Sequence, residues 1–176
     1  LRVRPLGLPE RYQGATHFPE RVTPDNLYRE GGRECQMTAT RIALNSRSAV
    51  AETLLIPLYI RAQEMREPSP LLRDESAGAL VERLDYDFKR IKLRNMNRVG
   101  ILVRAYRIDM WTRDFLTAHP GAVVVHIGCG LDTRFERVDD GRVEWYDLDL
   151  PEVIALRHEL LPERPRGHLL ACSVFD

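Results

Sequence analysis

Apolar positions follow a helical period through the middle of this chain and give way to short unbroken apolar runs after residue 119. Residues 49–65 carry a dense apolar helix pattern, with a kink or restart expected at Pro57, where an amide is lost and the ring crowds the preceding turn. Glu67-Pro68-Ser69-Pro70 ends it, and residues 71–84 predict a short helix with Leu71, Leu72, Leu80, Val81 and Leu84 on its apolar side. A polar stretch leads to a longer helix. Along that helix Ile101, Arg104, Ile108, Trp111 and Phe115 form one stripe, and Val99, Leu102, Val103, Tyr106 and Met110 an adjoining one. Arg104 is therefore a cation on a largely apolar surface, expected to need an anionic partner or to snorkel from the stripe's edge.

The pattern then changes. Val123-Val124-Val125-His126-Ile127 is β-branched and does not alternate, as expected for a strand with both faces covered in a parallel sheet. A second strand runs from Arg142 to Asp149. Pro151 opens a helix with Val153, Ile154, Leu156, Leu160 and Leu161 on its apolar side, and Gly167 releases the chain into a third strand ending near Val174. Helices followed by βαβαβ predict an α/β protein, half of a doubly wound sheet.

The first strand breaks into Gly128-Cys129-Gly130-Leu131-Asp132-Thr133-Arg134. Two glycines permit a tight turn whose backbone can approach a ligand without a Cβ in the way. Thr133 stands where a dinucleotide fingerprint has its third glycine, and Asp132 lies where the next helix begins, a poor place for a pyrophosphate. A cofactor without phosphate suits the loop better, and an acidic lining would tolerate the sulfonium of S-adenosyl-L-methionine. Thr133 and Glu136 also have capping-box spacing, so that Asp132 or Thr133 can equally be read as a helix cap. Asp149 follows Gly130 by 19 residues, near the offset at which an acidic side chain meets ribose hydroxyls. Asp147, on the same strand face, is its rival, and either can be read as a strand-end charge in water.

Acidic and basic side chains both number 26, so no net field would recruit nucleic acid. No apolar run approaches a membrane span and no signal-peptide core is visible, which makes the cytoplasm the expected compartment. Cys35, Cys129 and Cys172 are scattered and the five histidines dispersed, so neither a disulfide framework nor a metal site is expected. Cys129 is read as a small filler, and His126 as a core or loop-facing residue. Residues 1–36, rich in Pro, Gly, Arg and Glu without sustained periodicity, are expected to be disordered or non-native, with Met37 as the native start.

The segments Val-Val-His-Ile-Gly-Cys-Gly-Leu-Asp-Thr-Arg-Phe (124–135) and Tyr-Asp-Leu-Asp-Leu-Pro-Glu-Val (146–153) resemble the leucine carboxyl methyltransferase superfamily, closest to its bacterial polyketide-type O-methyltransferase branch. The likeness extends through Ala51-Glu52-Thr53-Leu54-Leu55-Ile56-Pro57-Leu58-Tyr59 and Leu84-Asp85-Tyr86-Asp87-Phe88, covering about residues 37–176. It implies the N-terminal half of a Rossmann-like class I methyltransferase fold with an N-terminal helical region: a lid and substrate region over 37–118 and the first part of the S-adenosyl-L-methionine domain over 119–176. It implies that Gly128, with Gly130, forms the cofactor loop, that Asp149 holds the ribose, that Arg104 pairs with the methionine carboxylate, and that Ser173 and Val174 lie beside the adenine. Other members carry an acidic residue where Ser173 stands, so Asp176 is an alternative adenine contact.

The resemblance also implies further strands beyond the third. The chain is accordingly expected to be a fragment, weakly stable and inactive alone. The expected reaction is methyl transfer to a carboxylate or hydroxyl of a small molecule, with no catalytic base identifiable. Tyr86, Asp85 and Asp87 are possible acceptor-side residues and equally a capping turn. Two alternatives stand beside this reading: a nicotinamide-dependent oxidoreductase on a similar Rossmann half, and a truncated product serving only as an interaction module.

Overall fold

The computed structural model describes residues 42–43, 49–91 and 95–175. The expectations for residues 1–36, for Met37 and for Asp176 lie outside these. Helix α1 (Ala49–Glu64) is a single element with Pro57 inside it, not two. An interior proline costs a helix about 3 kcal/mol; here Leu55, Leu58, Ile60 and Ala62 on either side of it are buried, and that packing offsets the loss. Helix α2 (Glu75–Arg83) begins later than its apolar period predicts, because Asp74 caps it by accepting from the Ala77 amide at 3.0 Å. Leu71 and Leu72 are buried in the turn before it. Two short strands, β1 (Ile42–Ala43) and β2 (Leu84–Asp85), pair in parallel, and a 3-10 turn (Phe88–Arg90) capped by Asp87 follows. Tyr86 and Tyr59 both pack on Phe88, so the Asp85 to Asp87 segment is a capping turn with an aromatic cluster.

Helix α3 (Asn95–Ala118) turns a different stripe inward from the one its apolar count suggests. Leu102, Ala105, Asp109 and Leu116 are buried, whereas Arg104, Trp111 and Phe115 are exposed. The chain reverses after Ala118 and enters a three-stranded parallel sheet, β3 (Val123–Ile127), β4 (Glu144–Asp149) and β5 (Gly167–Ala171), in that spatial order. The crossovers are α4 (Arg134–Val138) and α5 (Pro151–Leu160). This is the expected βαβαβ half of a doubly wound α/β fold. Right-handed crossovers advancing in one direction put both helices on one face. That face carries Val124 and Trp145, packed with Leu116, Phe135, Val138 and Val143. Among the described residues no helix covers the other face: Val123, Val125 and Ile127 are 60%, 53% and 57% exposed, and Leu170 joins them. A second core ties Leu55, Leu58, Ala62, Ala77, Leu80 and Leu84 of the helical segment to Leu131 of the loop and Leu160 of α5.

Candidate functional site

The parallel register brings the carboxyl ends of the three strands to one edge, with Ile127 opposite Leu148 and Asp149 opposite Ala171. Ligands of open α/β sheets bind at such an edge. Beyond β3 the chain turns sharply, the amides of Gly128 and Cys129 both donating to the Leu148 carbonyl at 2.8 and 3.3 Å. Gly128 and Gly130 hold φ of 65° and 51°, in the left-handed region that suits glycine. Their surroundings differ. A Cβ on Gly128 would meet nothing within 4 Å, whereas one on Gly130 would lie 3.0 Å from Leu54 Cδ2 of α1. Gly128 is thus the open side of the turn.

Asp149 closes the turn from the next strand. Its Oδ2 accepts from the Gly130 amide and its Oδ1 from the Leu150 amide, both at 2.8 Å. Two fixed N–H donors orient the carboxylate, and its remaining lone pairs can still accept from hydroxyls. On the third strand the Cys172 amide donates to the Asp149 carbonyl at 3.1 Å, and Ser173 and Val174 follow, Val174 exposed. With strands about 4.8 Å apart, the two outer strand ends are separated by about 10 Å. Gly128, Gly130, Asp149, Ser173 and Val174 therefore share one edge of the sheet. Arg104 sits apart on the exposed side of α3, and among the described residues it makes no hydrogen bond or ion pair.

The other polar residues of the loop turn inward, which corrects the expectation of an acidic lining. Asp132 ion-pairs with Arg134 and Arg137 at 3.0 Å each, and Arg61 stands 4.0 Å away. Burial alone would raise its carboxyl, and the charges of Arg61, Arg137 and Arg134 outweigh that, holding it well below the usual carboxylate range. Its charge is spent inside the protein. The capping box is absent as well: Thr133 occupies the N-cap position of α4 without a side-chain cap bond, and its hydroxyl donates instead to the Asp74 carboxylate at 2.6 Å. Arg61 and Arg137 meet the same Asp74 carboxylate at 2.8 and 2.7 Å, while Asp109 receives Arg134 at 2.8 Å and Arg137 at 2.6 Å. The result is a buried lattice of charge-assisted bonds joining α1, the cap of α2, α3 and α4.

Asp147 anchors its other end and is thereby removed from contention for a ribose. It is buried and accepts from His126 Nδ1 (2.9 Å), Trp145 Nε1 (2.9 Å), Arg157 (2.5 Å) and Arg164 (2.7 Å). Burial pushes its carboxyl up, and these donors and the Arg157 charge more than reverse the push. His126 links the Asp147 carboxylate to the Arg134 guanidinium: Arg134 Nη1 lies 2.9 Å from its Nε2. A guanidinium only donates and a carboxylate only accepts, so the imidazole carries its proton on Nδ1 and accepts at Nε2. It is a structural residue, as its place in the strand predicts. Cys129 is buried, and burial pushes its thiol up to about 12, which suits a filler and not a nucleophile.

Sequence reasoning passed over the arginines that hold the loop. Arg157 donates from Nη1 to the carbonyls of Gly130 and Asp132 at 2.8 and 2.9 Å, and Arg61 from Nη2 to that of Leu131 at 2.8 Å. The signal was present: Arg157 falls between Val153, Ile154 and Leu160 on the buried side of α5, and Asp109 between Leu102, Ala105 and Leu116 on that of α3. A charge within an apolar stripe marks a paired, buried group as readily as a ligand contact.

Comparison with known proteins bears on the same residues. The family model of leucine carboxyl methyltransferase matches residues 55–168, from α1 through the loop to β5. The chain belongs to the leucine carboxyl methyltransferase family. It is similar to the tetracenomycin polyketide synthesis O-methyltransferase of Streptomyces glaucescens, 44% identical over 128 residues, which are 72% of this chain and 47% of that protein. It is also similar to an S-adenosyl-L-methionine-dependent methyltransferase of Gibberella zeae, 34% identical over 140 residues, covering 71% of this chain and 47% of that protein. The chain thus spans about half the length of the curated relatives it matches. In this leucine carboxyl methyltransferase family member, no described helix is long and apolar enough to cross a membrane.

Proposed function

We propose that this chain supplies the S-adenosyl-L-methionine-binding portion of an O-methyltransferase acting on a carboxylate or hydroxyl of a small molecule. The observation that carries the reading is the half-exposed Asp149 carboxylate, held by the Gly130 and Leu150 amides at the mouth of a turn whose other glycine, Gly128, faces open space. An ionised carboxylate so held can accept from two adjacent ribose hydroxyls. The backbone at Gly128 leaves room for the nucleoside, and Ser173 and Val174 flank the adenine at the third strand end. Arg104 pairs with the methionine carboxylate. Supporting Arg104, its guanidinium is unpaired among the described residues, and counting back along α3 from Ala118 raises it about 21 Å, while β3 climbs about 17 Å to Gly128. Because the chain reverses between the two elements, those heights match at the loop end of the sheet.

When bound, S-adenosyl-L-methionine supplies a sulfonium methyl electrophile for in-line displacement by an acceptor oxygen. The residues named here bind and orient. A carboxylate acceptor is ionised near neutral pH and needs no base, whereas a hydroxyl acceptor requires one that these residues do not provide. The Streptomyces relative is an O-methyltransferase of polyketide synthesis, so a polyketide oxygen is the first acceptor class to examine. Residues 37–118 are read as the acceptor-side region and 119–176 as the cofactor side.

The nicotinamide alternative loses ground for a different reason from the one the sequence offered. Asp132 is neutralised by arginines and does not repel a diphosphate. The helix after the loop has only five residues, however, and Thr133 is buried against Asp74, so no glycine-based pyrophosphate cradle forms. Calorimetric titration with S-adenosylhomocysteine and, separately, NAD decides between them. Binding of the first and not the second is expected; the reverse would overturn the reading.

A further inference from the structure

Gly130 is gripped from opposite sides. Its amide donates to Asp149 Oδ2 at 2.8 Å, and its carbonyl accepts from Arg157 Nη1 at 2.8 Å. The same Nη1 reaches the Asp132 carbonyl at 2.9 Å, and Nη2 is tied to Asp147 at 2.5 Å. Asp147 is itself immobilised by Trp145, His126 and Arg164. Glycine has no intrinsic preference for the φ of 51° found here, so nothing local fixes how the peptides on either side of Gly130 point. What fixes them is a fully buried guanidinium that loses two acceptors if the loop rotates. Its Nε finds no acceptor among the described residues, so the burial is not arranged for greatest stability.

We propose that Arg157 is a positioning residue for Asp149: by holding the carbonyls of Gly130 and Asp132 it aims the Gly130 amide at the Asp149 carboxylate and so sets that carboxylate's orientation toward the ribose. Arg157 touches no ligand and acts through the loop. Its functional consequence rests on the S-adenosyl-L-methionine reading, whereas its structural consequence does not.

The test uses Arg157→Lys in the full chain, with two readouts. Hydrogen exchange should show the Gly130 amide exchanging about tenfold faster or more, while amides of α1 keep their protection. S-adenosylhomocysteine affinity should fall about tenfold in the wild-type background and less than about twofold in an Asp149→Asn background, because the effect passes through that carboxylate. Unchanged Gly130 exchange, or an undiminished loss of affinity in the Asp149→Asn background, overturns the proposal. Faster Gly130 exchange in a chain that binds no S-adenosylhomocysteine sinks the cofactor reading and upholds the positioning role. Should Arg157→Lys fail to fold, Arg157→Gln, which keeps N–H donors, is read the same way; if neither retains the helical circular dichroism, Arg157 is a folding residue and the proposal falls.

Discussion

Gly128 and Gly130 have similar backbone angles and different neighbours, which separates the effects of altering them. Gly128→Ala meets only the left-handed conformational penalty, about 1–2 kcal/mol, because a Cβ there has open space around it. Gly130→Ala adds a 3.0 Å approach to Leu54 and should be the more destabilising of the two in urea denaturation. Arg104 offers the converse case. Exposed, and without a hydrogen bond or ion pair among the described residues, it contributes nothing visible there to folding, so Arg104→Ala is expected to leave the melting temperature unchanged and to weaken S-adenosylhomocysteine binding about 10- to 100-fold by calorimetry. That Asp149 lies beside the Gly130 turn was legible in the sequence, because its offset from Gly130 is set within one βαβ unit. Asp132 was not. The partners that neutralise it include Arg61, 71 positions earlier in the chain, and no local spacing reveals a charge that distant. Asp147 and Asp149 share a strand face and looked equivalent; the donors that take up Asp147, from His126, Trp145, Arg157 and Arg164, distinguish them.

The elements are held together by charge as much as by oil. Asp109 is buried between Arg134 and Arg137, and Asp109→Ala would leave both guanidiniums short of a carboxylate. A loss of about 3 kcal/mol in urea denaturation is expected, toward the lower end for a broken buried pair because Asp74 and Asp132 remain. The same carboxylates make stability pH-dependent. Asp132 and Asp147 titrate lower in the folded chain than the value near 3.9 of an unfolded aspartate, so their contribution is complete above about pH 5 and drains away as pH falls below about 4. Denaturation midpoints measured down to about pH 2.5 should fall continuously over that range. The long helices and the three strands of the main sheet were legible from period alone, and so was the α5 start at Pro151; the β1–β2 pair and the 3-10 turn were not, since Leu84 reads as the end of a helix and lies in β2. The start of α2 was not, because its cap, Asp74, also serves Thr133 and Arg137, and the choice of cap was made by tertiary partners. The stripe that α3 buries was misjudged for a related reason: Asp109 is drawn inward by arginines, and the Trp111 and Phe115 side goes outward with it.

At the scale of the molecule, one sheet face is dressed and the other is not. Val123, Val125, Ile127 and Leu170 present an apolar surface to water beside the outer strand β3. Such a surface promotes association. Val125→Lys is expected to lower dye binding by 8-anilinonaphthalene-1-sulfonate and raise the monomer fraction in sedimentation velocity, with little effect on the buried core. The unbroken apolar run of β3 implied helices on both faces, and among the described residues helices cover one. The dressed side has its own consequence, through Arg61 and Asp74 of the helical segment, which clasp Leu131, Thr133 and Arg137 on the far side of α3. Gene recombination with a breakpoint between residues 91 and 123 would part those grips. Homologous chimeras that trade acceptor specificity should therefore inherit residues 61, 74, 132, 133 and 137 from a single parent, and breeding libraries designed around that constraint will keep more folded progeny than libraries cut at the apparent boundary between helices and sheet.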